Sequence, residues 1–133
     1  MKKIVFVCLG NICRSPMAEF VMKSLTDQLK IESRATSSWE HGNPIHRGTQ
    51  AIFKKYAISY DRNKTSQQIS AADFADFDYV IGMDESNVRD LKRMAPEDFQ
   101  HKIYQFEEEG VPDPWYTGDF DQTYDLVLAG CKK

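Results

Sequence analysis

Apolar residues are distributed along the chain in two patterns. Short continuous runs rich in β-branched and aromatic residues read as strands: Ile4-Val5-Phe6-Val7, the segment from Ile31 to Ser38, Tyr79-Val80-Ile81-Gly82-Met83, and Lys102-Ile103-Tyr104-Gln105-Phe106. Between them the apolar positions take up helical spacing. Met17, Phe20, Val21, Leu25 and Leu29 predict a helix from Pro16 to about Lys30, and Ile52 and Phe53 point one face of a second, from Gly48 to about Tyr56, inward. A third starts at a cap on Asp84 or Ser86 and runs to about Met94, ahead of Pro96. A last one starts near Phe120, with Tyr124, Val127 and Leu128 on one face. Ala71-Ala72-Asp73-Phe74 reads as a helical turn, and the polar stretch from Ser59 to Gln68 as a loop. Strands alternating with helices predict an α/β fold: a four-stranded parallel sheet with helices on both faces, binding ligands at the carboxyl ends of its strands. A length of 133 residues fits one such domain, 1–133.

At the carboxyl end of the first predicted strand comes Cys8-Leu9-Gly10-Asn11-Ile12-Cys13-Arg14-Ser15, followed by Pro16. Serine before proline is a helix-start signal, with Ser15 at the cap and Pro16 at the first helical position. Gly10 supplies backbone freedom, and Asn11 tolerates a left-handed conformation. The free amides and dipole of a helix N-terminus, joined by curled loop amides, form a cradle for phosphate. Cys8 points into that cradle, where the helix end and a neighbouring arginine favour the thiolate. Arg14 presents a planar fork for phosphoryl oxygens, and Ser15 is placed to donate to the Cys8 sulfur when a phosphocysteine breaks down.

Composition narrows the setting. A net charge of −3 gives no general attraction to nucleic acid or to anionic membranes, so any affinity for phosphate is local. Three cysteines, an odd number, suit a reducing compartment rather than a disulfide framework, and no apolar run is long enough to span a bilayer. A cytoplasmic location is expected. His41, His46 and His101 lack paired-ligand spacing, and no Gly-Lys-Ser/Thr follows the loop, so neither a metal nor a bound nucleotide or other cofactor is expected.

Cleavage of a phosphate ester by a thiolate needs a proton for the leaving oxygen and later a base for water. Asp113 suits both tasks, because Pro112 and Pro114 stiffen its loop and Trp115 and Tyr116 shield it from water. It must be protonated while Cys8 is ionised, which predicts a mildly acidic optimum. Trp39, Trp115 and Tyr116 lie in turn-rich stretches and are candidates for the rim of a slot that grips a phenyl ring. Asp84 reads first as a helix cap within reach of Arg14, and Glu107-Glu108-Glu109 as a solvated charge run. Cys131 reads as incidental.

The string Val-Cys-Leu-Gly-Asn-Ile-Cys-Arg-Ser-Pro, set between a strand and a helix, resembles the signature of the low-molecular-weight protein tyrosine phosphatases. The resemblance implies a phosphotyrosine phosphatase working through a phosphocysteine on Cys8, with residues 9–15 (Leu9, Gly10, Asn11, Ile12, Cys13, Arg14 and Ser15) around the phosphate and Asp113 in the family's Asp-Pro-aromatic string. Phosphotyrosine proteins or peptides would be its partners, and phosphate, sulfate or vanadate would occupy the site. It places Trp39 in the rim, implies that Asn11 and Ser33 lock the loop by side-chain hydrogen bonds, and implies that a Cys8–Cys13 disulfide shields the nucleophile. Where family members carry a supporting histidine, this chain reads Asp61-Arg62-Asn63-Lys64-Thr65-Ser66-Gln67. The last helix shows no clear stop before Lys133, which against the family implies a trimmed C-terminus. Rival readings are an arsenate reductase on the same fold, which needs relay cysteines not found between Cys13 and Cys131, a phosphocysteine carrier, which has no use for Arg14 or Asp113, and a non-catalytic phosphotyrosine-binding module.

Overall fold

The computed structural model describes residues 1–132; Lys133, on which the expectation of a trimmed C-terminus falls, lies outside them. Four strands, β1 (Lys2–Cys8), β2 (Leu29–Ala35), β3 (Tyr79–Gly82) and β4 (Ile103–Gln105), form one sheet in the order β2-β1-β3-β4. All three pairings are parallel, as the alternation of elements predicts. The helices are α1 (Arg14–Leu25), α2 (Arg47–Lys55), α3 (Ala71–Asp76), α4 (Glu85–Met94), α5 (Pro114–Thr117) and α6 (Phe120–Cys131), with a 3₁₀ turn over Glu97–Lys102.

The central strand explains both layers. Ile4, Phe6 and Cys8 face a core shared with Met17, Phe20 and Val21 of α1, Ile52 and Phe53 of α2, and Tyr124 and Val127 of α6. Val5 and Val7 point the other way, onto Phe74 of α3, Phe77, Val80 and Leu91 of α4. A continuous apolar run is what a strand covered on both faces requires. The order of strands changes direction at β1, whose neighbours are β2 on one side and β3 on the other. The loops leaving β1 and β3 therefore diverge and open a crevice at the carboxyl ends of those strands.

Several boundaries differ from the sequence reading. The first helix stops at Leu25, with Thr26 extended, and Leu29 belongs to β2: its apolar side chain follows the alternation of a strand, not the helical row it also fits. Residues 36–38 leave the sheet, because the amides of Thr36 and Ser37 donate to the carbonyls of Cys8 (2.9 Å) and Leu9 (3.2 Å) and follow the loop instead of β1. The turn at Ala71 is a full helix, closed by a reciprocal cap between Ser70 and Asp73. Residues 59–68 are irregular as predicted, yet Ala35 bridges to Gln68 and Ser66 is buried. Among the described residues no helix is long and apolar enough to cross a membrane.

Candidate active site

The sequence Cys8–Ser15 folds as a tight loop from the end of β1 into α1. Asn11 takes the left-handed conformation, φ 56°, and its side chain justifies it: Nδ2 donates to Ser15 Oγ at 2.8 Å and Oδ1 accepts the Gln67 amide at 3.2 Å. Gly10 does not need a positive φ. Its use is space, since a Cβ there would sit 3.3 Å from Glu40 Cγ. Ser15 is not the helix cap that the Ser-Pro signal suggests. The cap position is Cys13, without a side-chain bond, and Ser15 lies one residue inside the helix. Its hydroxyl is engaged elsewhere, 3.0 Å from Cys8 Sγ, which also accepts the Asn11 amide at 3.2 Å. The amides of Gly10, Ile12, Cys13 and Arg14 have no protein acceptor among the described residues. Curled amides without acceptors at a helix start are free to donate to an oxyanion.

Arg14 crosses the crevice between the β1 and β3 loops. Its Nη1 donates to Asp84 Oδ2 at 2.6 Å and to the Val111 carbonyl at 2.9 Å, and Nη2 lies 3.4 Å from Asp113 Oδ2. The side chain is buried, and Nε has no partner among the described residues. Burial disfavours the charged guanidinium, but Cys8, Asp84 and Asp113 outweigh it and raise its pKa further. Nη1 and Nη2 are thus held by the protein, and Nε is the guanidinium nitrogen left to donate to an anion. Asp84 serves twice, since Oδ1 accepts the Asn87 amide and caps α4.

Asp113 is fixed by its neighbours. Its Oδ1 accepts the Trp115 amide at 3.0 Å and starts the one-turn helix α5, which the sequence reading leaves as loop. Cys8, Leu9, Gly10, Ile12, Cys13, Trp39, Glu40, Asp113, Trp115 and Tyr116 line a single cavity. The three aromatic residues of the predicted rim are exposed, and all three line this cavity.

The sequence profile of the family "Low molecular weight phosphotyrosine protein phosphatase" matches residues 3–133. The low molecular weight protein-tyrosine-phosphatase PtpA of Staphylococcus aureus is 45% identical, the alignment covering 98% of this chain and 90% of that protein. The crystal structure of a low molecular weight protein tyrosine phosphatase from Streptococcus pyogenes superposes with a TM-score of 0.97 at 63% identity, covering 99% of this chain and 89% of that one. The chain belongs to the low molecular weight phosphotyrosine protein phosphatases. YfkJ from Bacillus subtilis also shares the fold, at 40% identity and a TM-score of 0.90 over 99% of this chain and 91% of that one.

The phosphatase departs from the sequence reading in how its loop is held. Ser33 does not touch the loop: it sits on β2 opposite α1, and its hydroxyl donates to the buried Glu19 at 2.6 Å. The segment that lacks the expected histidine does the holding. Ser66 Oγ donates to the Gly10 carbonyl at 2.7 Å, beside the Gln67–Asn11 bond, and Lys64 anchors this segment by donating to the Ser33 carbonyl at 2.8 Å and standing 3.6 Å from Glu19. Burial lowers the Lys64 pKa. Ser37 and Thr49 add hydroxyl donors to the Leu9 carbonyl (2.8 Å) and the Cys13 carbonyl (3.1 Å). None of these is legible in one sequence, because a serine or lysine in a polar stretch has no periodicity to report which backbone carbonyl it will meet.

Cys13 and Cys131 are buried, free thiols. Burial, then the nearby Cys8 and Asp113, pushes the Cys13 thiol far up, and burial alone pushes Cys131 up to about 12. Both are protonated at neutral pH, which slows their reaction with an external alkylating agent. Iodoacetate near pH 7 is therefore expected to add one carboxymethyl group, on Cys8, with parallel loss of activity, read by peptide mass spectrometry. Equal labelling at Cys13 or Cys131 would contradict this assignment.

Proposed function

We propose that the protein hydrolyses phosphotyrosine in proteins or peptides, and small aryl phosphates, through a phosphocysteine on Cys8. The observation that carries this reading is the guanidinium of Arg14, tethered by Nη1 to Asp84 and Val111 and by Nη2 to Asp113, with Nε unpartnered among the described residues, on the same loop as a Cys8 sulfur that accepts the Asn11 amide. Cys8 Sγ attacks phosphorus as the P–O bond to the phenol breaks. The equatorial oxygens rest on the loop amides of residues 9–15 and on the Arg14 guanidinium, whose Nε is unpartnered among the described residues, and these take up the charge of the transferring group. Inorganic phosphate, sulfate and vanadate fit the same cradle.

Asp113 gives its proton to the leaving phenoxide and, as a carboxylate, then takes one from the water that attacks phosphorus. The S–P bond breaks, phosphate leaves, and the sulfur recovers its electron pair with Ser15 Oγ, 3.0 Å away, donating to it. Trp39, Trp115 and Tyr116 grip the ring and set the depth at which a phosphate reaches the floor. Nothing in this sequence of steps needs a metal or cofactor. Cys13 has a further role under oxidation. Peroxide converts the Cys8 thiolate to a sulfenic acid, and the Cys13 thiol attacks that sulfur, releasing water and forming a disulfide that shields the nucleophile from overoxidation.

The assay is hydrolysis of phenyl phosphate with a chelator present. Asp113→Asn is expected to lower kcat by about 10²- to 10³-fold. The basic limb of the pH–rate profile is expected to disappear in the variant. An unchanged pH profile with unchanged kcat would remove Asp113 from the reaction.

A further inference from the structure

Outside the phosphate loop and its acid, one residue touches both the phosphate loop and a tryptophan of the rim and takes no part in the steps above. His46 stands just before α2. Its amide donates to the Ile12 carbonyl at 2.8 Å, which ties it to the phosphate loop. Its Nδ1 accepts the Gly48 amide at 3.0 Å and caps α2, so in the neutral ring the proton sits on Nε2. One face of the imidazole stacks on Phe120 at the start of α6, with centroids 5.1 Å apart and planes at 17°. Trp115 meets the imidazole edge to face, at 5.6 Å and 79°.

The packing on the far side is closed. A Cβ on Gly48 would lie 2.4 Å from the Phe120 ring, so the stack has no room to slide toward α2. Trp115, in contrast, is 56% exposed and stands on a helix of four residues, yet it lines the cavity above Cys8. An exposed indole has several rotamers of similar energy, and a partner that selects one makes the wall ready before substrate arrives.

We propose that His46 is a positioning residue that sets specificity: by holding Trp115 in the slot wall it raises affinity for phosphate monoesters bearing an aromatic ring, without touching the phosphate. The proposal rests on the phosphatase reading above. It divides the residue into two separable halves, a ring that supports Trp115 and an acceptor that caps α2. His46→Asn keeps a capping acceptor and removes the ring; His46→Phe keeps a ring and removes the acceptor.

Titration calorimetry with phenylphosphonate, which carries a ring, and with inorganic phosphate, which does not, reads the difference. His46→Asn is expected to weaken phenylphosphonate roughly 3- to 10-fold, the range an edge-to-face ring contact supports, and to leave phosphate within about twofold. His46→Phe is expected to hold phenylphosphonate within about twofold of wild type while melting at a lower temperature. On a Trp115→Ala background His46→Asn is expected to have no further effect. Retained phosphate binding shows in every variant that the loop is folded. The proposal is overturned if His46→Asn leaves phenylphosphonate unchanged, weakens both ligands alike, or keeps its effect without Trp115. Hydrolysis of phenyl phosphate by the wild type is a separate arm: its absence would end the phosphatase reading, while the two-ligand comparison would still decide the role of His46.

Discussion

Cys8→Ser is expected to lower the turnover of phenyl phosphate by about 10⁴-fold or more, the scale on which removing a nucleophile acts. Serine is nearly the same size, and the site around position 8 is closed by the Asn11 amide and Ser15 Oγ, so the loop keeps its shape. What is lost is the thiol: a hydroxyl in the same place is the weaker nucleophile toward phosphorus. Binding is expected to be kept. The amides of Gly10, Ile12, Cys13 and Arg14 remain without acceptors among the described residues. Calorimetry with inorganic phosphate is expected to show affinity at least equal to wild type. A variant that turns over within tenfold of wild type would refute the phosphocysteine.

Arg14→Lys is expected to lower kcat by about 10³-fold, within the range spanned by removal of a charge-stabilising arginine in phosphoryl transfer. Charge is conserved in this exchange; geometry is not. The planar fork of Arg14 lets Nη1 bond Asp84 at 2.6 Å and Val111 at 2.9 Å and Nη2 lie 3.4 Å from Asp113 while Nε has no partner among the described residues. An ammonium is one point of charge, and Asp84, whose side chain is only 29% exposed, draws it away from the phosphoryl group. Steady-state kinetics at saturating aryl phosphate measures the effect, and an Arg14→Lys enzyme with more than a tenth of wild-type kcat would show that charge alone suffices.

Candidates for the chemistry were more legible than their support. Cys8, Arg14 and Asp113 stand out in the sequence because their residue types are reactive and their neighbours, a strand, a glycine and two prolines, restrict where they point. The structure brings all three to one crevice, with Asp113 within 3.4 Å of Arg14 across a separation of 99 residues. Ser15 shows the limit of a local signal. Its position before proline resembles a cap, but a hydroxyl bonds to whatever acceptor or donor lies nearest in space, and here that is the Cys8 sulfur and the Asn11 amide group. Ser33 shows the same limit, being taken up by Glu19 instead of the loop. Glu19 itself forms a surface-like pair with Lys23, four residues on, and only packing against β2 reveals it as buried.

Local rules sufficed wherever backbone stiffness and apolar periodicity act over a few residues: the alternation of strands and helices, the parallel sheet and the tight loop after the first strand, with side-chain reactivity singling out a cysteine, an arginine and an aspartate as candidates. Tertiary structure alone decided which carbonyl Ser66 holds, which carboxylate fixes Arg14, and that His46 stands behind Trp115. Those contacts join residues 56, 70 and 69 positions apart, the last being 115 less 46, and depend on which segments meet across the crevice at the ends of β1 and β3. A hydrogen bond or ring contact is worth its energy only at contact distance, and distance across a fold is set by the packing of the whole sheet, which no short window of sequence contains.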